Sequence, residues 1–96
     1  MTLKAFAPSG ATVKISATTA SSSVSLDQYS ACVRVMNAGP NIAFLKFSFG
    51  ASTATLTDMP IAVGATEVFT DATSNTVSAI CETGTASVYF TNGEGL

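Results

Sequence analysis

Chemistry in this chain has to come from a short inventory: the thiols of Cys32 and Cys81, the carboxylates of Asp27, Asp58, Glu67, Asp71, Glu82 and Glu94, four Lys/Arg side chains, and many serines and threonines. Histidine is absent. It is the side chain whose unperturbed pKa lies nearest neutrality and it serves most often as general base, so no Ser-His-Asp or Cys-His arrangement can be assembled. Two of the six carboxylates could in principle form a glycosidase pair across a cleft. Each, however, falls beside a predicted turn or strand end, where solvation is the ordinary role, and there is no tryptophan to floor a sugar site. Asp71-Ala72-Thr73-Ser74-Asn75 offers one carboxylate among neutral oxygens, short of the alternating ligands of a calcium loop. The cysteines stand 49 positions apart without zinc-ligand spacing, no G-x-S-x-G elbow occurs, and Gly93-Glu94-Gly95 is too short to cradle a phosphate. The chain therefore reads as a non-enzyme, with no catalytic, cofactor-binding or metal-ligating residue expected.

The elements that would position any functional group are strands. β-branched and aromatic runs recur about every 8 to 12 residues between Gly, Pro, Asn, Asp and Ser punctuation. Leu3 to Ala7 ends at a Pro8-Ser9-Gly10 turn, and Ala11 to Thr18 alternates Val13, Ile15 and Ala17 against Thr12, Lys14 and Ser16. Val24 to Leu26 is a short edge strand. Tyr29 to Met36 is expected to form a hairpin with Ile42 to Phe49 through Asn37-Ala38-Gly39-Pro40-Asn41, with Ala43, Leu45, Phe47 and Phe49 on the core face. After Met59 to Gly64, the strands Thr66 to Thr70, Thr76 to Cys81 and Thr85 to Thr91 complete the set. The last two read as a hairpin around Glu82-Thr83-Gly84.

These amphipathic strands predict an all-β fold, a two-sheet antiparallel β-sandwich of about eight strands, immunoglobulin-like or jelly-roll. The expected core is Val13, Ile15, Val33, Val35, Leu45, Phe47, Val68, Ile80, Val88 and Phe90. For Cys32 and Cys81 the ordinary expectation is two buried thiols, and the alternative is an inter-sheet disulfide of the immunoglobulin type.

With 96 residues the chain is expected to be one domain, 1–96, with an N-terminal docking arm over about residues 1–10 and a flexible tail over 92–96. Hydrophobic residues make up 47% and charged residues only 10%, against about 25% in an ordinary soluble domain, so hydroxyls rather than ions must keep the surface wet. A net charge of -2 leaves no basic field for phosphates, so no direct nucleic-acid role is expected. No apolar run reaches the length of a signal core or a membrane helix, so synthesis in the cytoplasm of whatever cell makes it and no membrane partner are expected. Candidate partner contacts are the parts that a core does not require: Leu3, Lys4 and Phe6 in the arm, Thr53, Thr55 and Leu56 in the Gly50 to Asp58 loop, and Leu96 in the tail. Arg34 and Lys46 join them as isolated cations on outward faces that also carry Cys32, Met36, Ile42 and Phe44, a composition enriched at interfaces.

The segments CVRVMNAGPNIAFLKFSFG, DMPIAVGATEVFT and VSAICETGTASVYFTNGEGL together resemble a pattern in small virion proteins of tailed bacteriophages. Its parts are a valine-rich strand ending in Asn, a Gly/Pro turn, an aromatic strand ending in Gly, a Pro-Ile entry to another strand, and a final strand ending in Gly-Glu-Gly. The resemblance spans roughly Cys32 to Gly95. It implies a capsid decoration or cement protein on the outside of the virion, with the major capsid protein as partner and a trimer or dimer as the homo-oligomer. It brings no catalytic residue. Low charge would make such attachment depend weakly on salt. Alternatives are a tail or neck accessory protein, a small carbohydrate-binding module using Tyr29 or Tyr89, and a secreted adhesin or pilus-like subunit, which would call for an export signal or a Cys32–Cys81 bridge.

Overall fold

The computed structural model describes residues 7–26, 32–70 and 75–94. The expected strand Leu3 to Ala7 except for Ala7, the beginning of Tyr29 to Met36, the turn at 71–74, Tyr29, and the contacts Leu3, Lys4, Phe6 and Leu96 lie outside the described residues. Among the described residues there are eight strands: β1 (Ala7–Ala17), β2 (Ser22–Ser25), β3 (Cys32–Pro40), β4 (Ala43–Ser48), β5 (Met59–Ile61), β6 (Thr66–Thr70), β7 (Thr76–Cys81) and β8 (Ala86–Glu94). They form two four-stranded antiparallel sheets, sheet A in the order β1-β8-β3-β6 and sheet B in the order β2-β7-β4-β5. Strand β1 thus partners β8, β2 partners β7, β3 partners β6 and β4 partners β5. This is one long antiparallel ribbon rolled on itself, the strand order of a jelly roll rather than of an immunoglobulin domain.

That order corrects two local expectations. Only β4 and β5 are consecutive strands within one sheet; every other connection changes sheet. Neither β3 with β4 nor β7 with β8 is a hairpin, although Gly39 and Gly84 both adopt the positive φ that their turn signals suggested. Turn chemistry reports a change of chain direction and is silent about which sheet receives the next strand.

Two further turn assignments become strand. Pro8-Ser9-Gly10 lies within β1, at a register shift where residues 9–11 stand opposite the single residue 92. Asn92-Gly93-Glu94 is not a tail but the end of β8, a central strand paired with β1 on one side and β3 on the other. Three central hydrogen-bonded positions outweigh the low strand propensity of Asn and Gly.

The core lies between the sheets and contains Ile15, Ala17, Leu26, Val33, Val35, Ala43, Leu45, Ile61, Val77, Ala79, Cys81, Ala86, Val88 and Phe90. Val13 and Phe47 are partly buried at its margin. Val68 departs from expectation: opposite Arg34 across the β3–β6 pair, it faces outward and is 40% exposed. Ile80 is half-buried on the outer face of sheet B opposite Phe44, and Phe49, beyond the end of β4, is 76% exposed. Cys32 and Cys81 are buried thiols in different sheets. Cys32 pairs with Gly93 at one end of the sandwich and Cys81 with Ala43 at the other, on the order of 20 Å away along the strands, far beyond the ~7 Å a disulfide can span.

Four of the sheet-changing connections, β1–β2, β3–β4, β5–β6 and β7–β8, lie at one end, and a buried amide organises the corner there. Asn37, fully buried on β3, donates from Nδ2 to the carbonyls of Asn41 and Ile61, each at 3.0 Å, and its Oδ1 accepts from the Gly39 amide at 2.8 Å. Its backbone donates to Ala65 and accepts from Gly64. One residue of sheet A therefore grips the end of β5 in sheet B and the connection that follows. Asn41 then donates to the Thr85 carbonyl at 2.9 Å, and a Cβ at Gly84 would collide with its amide group.

Two expectations follow. Asn37→Ala removes three side-chain hydrogen bonds, to the Asn41 and Ile61 carbonyls and from the Gly39 amide, so it should lower unfolding free energy by roughly 3 kcal/mol, read from urea denaturation. Thiol titration of the unreduced protein should find two reactive groups after denaturation and slow reaction when native. Burial pushes the Cys81 thiol up, so the protonated form is favoured in the fold. The stability this contributes is present below the ordinary thiol range and lost as pH rises through the raised value.

Candidate interaction surfaces

Alternation along the central strands of sheet A sends Val33, Val35 and Asn37 inward and Arg34 and Met36 outward. The register then builds the outer face in rows. Lys14, Tyr89, Met36 and Thr66 form one row across β1, β8, β3 and β6, and Thr12, Thr91, Arg34 and Val68 form the next. Lys14 Nζ sits 5.7 Å from the centroid of the Tyr89 ring, within cation–π range, and the Thr12 and Thr91 hydroxyls are 2.7 Å apart. Met36 and Val68 are 38% and 40% exposed, large for apolar groups in mid-sheet. Thr12, Arg34, Met36, Tyr89 and Thr91 line a shallow depression of about 210 Å³.

The outer face of sheet B is built differently. Ser78 is fully buried although it points away from the core, because the Gly50 to Asp58 segment lies over it. Its Oγ donates to the Ser52 carbonyl at 2.9 Å and lies 2.8 Å from Ser23 Oγ; Ser52 Oγ donates to Ser48 Oγ at 3.0 Å, and the Ala54 amide donates to Ser21 Oγ at 2.9 Å. Ala54 is buried as a result. The Gly50 to Asp58 loop, where partner contacts are expected, is thus tied down by a serine cluster, and Ser21-Ser22-Ser23 serves as anchor and edge strand. Beyond it the chain closes a tight turn in which Asp58 accepts from the Thr55 amide at 2.7 Å. Thr53 and Thr55 are exposed, and Leu56 is displayed at 46% exposure on this turn.

Arg34 and Lys46 both face outward, as their alternation suggests, but on opposite sheets. They are not one surface. The residue that joins Arg34 is Lys14, from a strand 20 positions earlier. Sequence reasoning passed over Lys14, Tyr89 and Thr12 in this role because only the β1-β8-β3 order makes them neighbours of Arg34. A second cleft, of about 240 Å³, lies at the end with the sheet-changing corners, between Pro40, Asn41, Ile42, Phe44, Val63 and Glu82. Among the described residues no three of His, Cys, Asp or Glu come together in a way that could hold a metal ion.

Ser78→Ala should leave the Ser52 carbonyl only the long 3.4 Å bond from Ser23 Oγ and cost about 1–2 kcal/mol. The Ala54 amide should then exchange with deuterium faster in Ser78→Ala and in Ser21→Ala, with the core strands unaffected.

Comparison with protein-family models, with curated proteins and with solved structures finds no match to this chain.

Proposed function

We propose that the chain is an accessory structural protein of a virion, binding the outer surface of a tailed-phage capsid and bridging neighbouring major capsid subunits as a dimer or trimer. The observation that carries this reading is the outer face of sheet A: Met36, Tyr89 and Arg34, residue types enriched at protein interfaces, stand there beside exposed Val68 and Lys14. The displayed Leu56 turn on the opposite sheet gives a second contact point, as bridging requires. Resemblance supports the same class, and the segments that carry it form β3, β4 and β5 to β8 with the corner around Asn37.

A sugar-binding reading draws less support. Tyr89 is half-buried beneath the Lys14 ammonium, so its ring is not an open stacking platform. Binding only to assembled shells would stabilise them by mass action, by about 2.7 kcal/mol per site at 100 times the dissociation constant. Multiplied over many sites, such clamps would resist the pressure of packaged DNA.

The test is the position of the chain in purified particles. It is expected on the outside of both filled and emptied heads by cryo-electron microscopy, and heads lacking it should rupture at lower temperature. Recovery with tails or necks alone, inside the shell, or only in the unassembled fraction would overturn the reading.

A further inference from the structure

We propose that the outer face of sheet A docks an extended acidic segment of a protein partner, with Lys14 and Arg34 each receiving a carboxylate and an apolar side chain seated between them. The inference rests on the surface-binding function above and specifies the partner's chemistry.

Charge placement identifies the occupant. Of the described cations Lys14, Arg34 and Lys46, two lie on this face, although the chain as a whole is negative. The described acidic side chains are elsewhere: Asp58 closes the turn over sheet B, Glu82 lies on the β7–β8 connection, and Glu67 falls on the opposite side of β6 from Val68. Among the described residues no carboxylate pairs with Lys14 or Arg34. Two cations on a face with exposed Met36 and Val68 are too few and too apolar a setting for a polyphosphate backbone, which needs a longer basic track.

Spacing identifies the form of the segment. Lys14 and Arg34 stand two strands apart, on either side of β8, and one row apart along the strands. With strands ~4.8 Å apart and ~6.7 Å between successive outward residues, their Cα atoms are separated by roughly 12 Å. In an extended chain, residues four apart face the same way at roughly 13 Å. Carboxylates at positions i and i+4 therefore match the two cations. Residue i+2 falls over β8 between Tyr89 and Thr91, at the depression of about 210 Å³ lined by Thr12, Arg34, Met36, Tyr89 and Thr91. An aliphatic residue there would contact Met36, and the Thr12 and Thr91 hydroxyls could bond the segment's backbone.

The probe is the capped pentapeptide Glu-Ser-Leu-Ser-Glu, titrated into the isotopically labelled chain and followed by backbone amide shifts. Saturable shifts at residues 12, 14, 34, 36, 89 and 91 at millimolar peptide are expected. Affinity should fall at least fivefold with Gln-Ser-Leu-Ser-Gln and in Lys14→Ala/Arg34→Ala, but not in Lys46→Ala on the opposite sheet. No shift on this face, equal binding of the glutamine peptide, or tighter binding of a sulfated oligosaccharide at the same residues overturns the proposal. Assembled phage shells separate it from the function on which it rests. The double variant should bind shells about tenfold more weakly and with a shallower salt dependence than the wild type, whose binding is steeper in salt than the low overall charge suggests. If wild type binds shells and the double variant binds equally, the docking face is wrong and the capsid role stands. If wild type binds no shell, the capsid role is wrong and the peptide titration decides the face.

Discussion

The amide of Asn37 lies where the two sheets have to be joined, and the rest of the sandwich depends on how that junction is satisfied. A rolled ribbon of eight strands must carry its chain from sheet to sheet, and each crossing removes backbone groups from their ladders. At the end where β3, β5 and β7 finish, Asn37 and Asn41 supply the missing partners from side chains. A hydrophobic residue of similar size would fill the same volume and forfeit the bonds to the Asn41 and Ile61 carbonyls and from the Gly39 amide. Asn75 has a related duty at the opposite end, where its backbone bonds Leu26 and Ser48 and its side chain accepts from the Gly50 amide. Asparagine suits these positions because one short side chain both donates and accepts.

The same economy shapes the surfaces. In a chain this poor in charge, the hydroxyls do more than keep the exterior wet: those of Ser21, Ser23, Ser48, Ser52 and Ser78 hold the long β4–β5 connection against sheet B. Each serine hydroxyl can both donate and accept, so the cluster satisfies itself without an ion to desolvate. The outer face of sheet A has no such cover among the described residues. Its methionine, valine and two cations are exposed, with Tyr89 half-buried beneath Lys14, so the chain's own loop covers the outer face of one sheet and not that of the other.

How much was legible in the sequence differs by level. Alternation marked the strands and their inward faces well: Ile15, Val33, Val35, Leu45, Val88 and Phe90 are in the core as their spacing requires. It failed for Val68, because the outward face of a strand is indistinguishable from the inward one when both carry apolar residues in a short run. Outward orientation of Arg34 and Lys46 was readable from the same alternation, whereas their separation onto opposite faces was not.

The sequence by itself determined the class of fold, the composition of the surface and the absence of histidine chemistry, since these follow from residue type and from spacing within single strands. Tertiary structure decided everything that depends on pairing between distant segments. It placed β8 between β1 and β3, drew Asn92 and Gly93 out of an apparent tail into a central strand, and set the cysteines at opposite ends of the sandwich. It also joined Lys14 to Arg34 across Tyr89. The physical reason is that a strand's alternation states which side faces the core but not which neighbour its backbone will bond, and that choice is made by the packing of all eight strands at once.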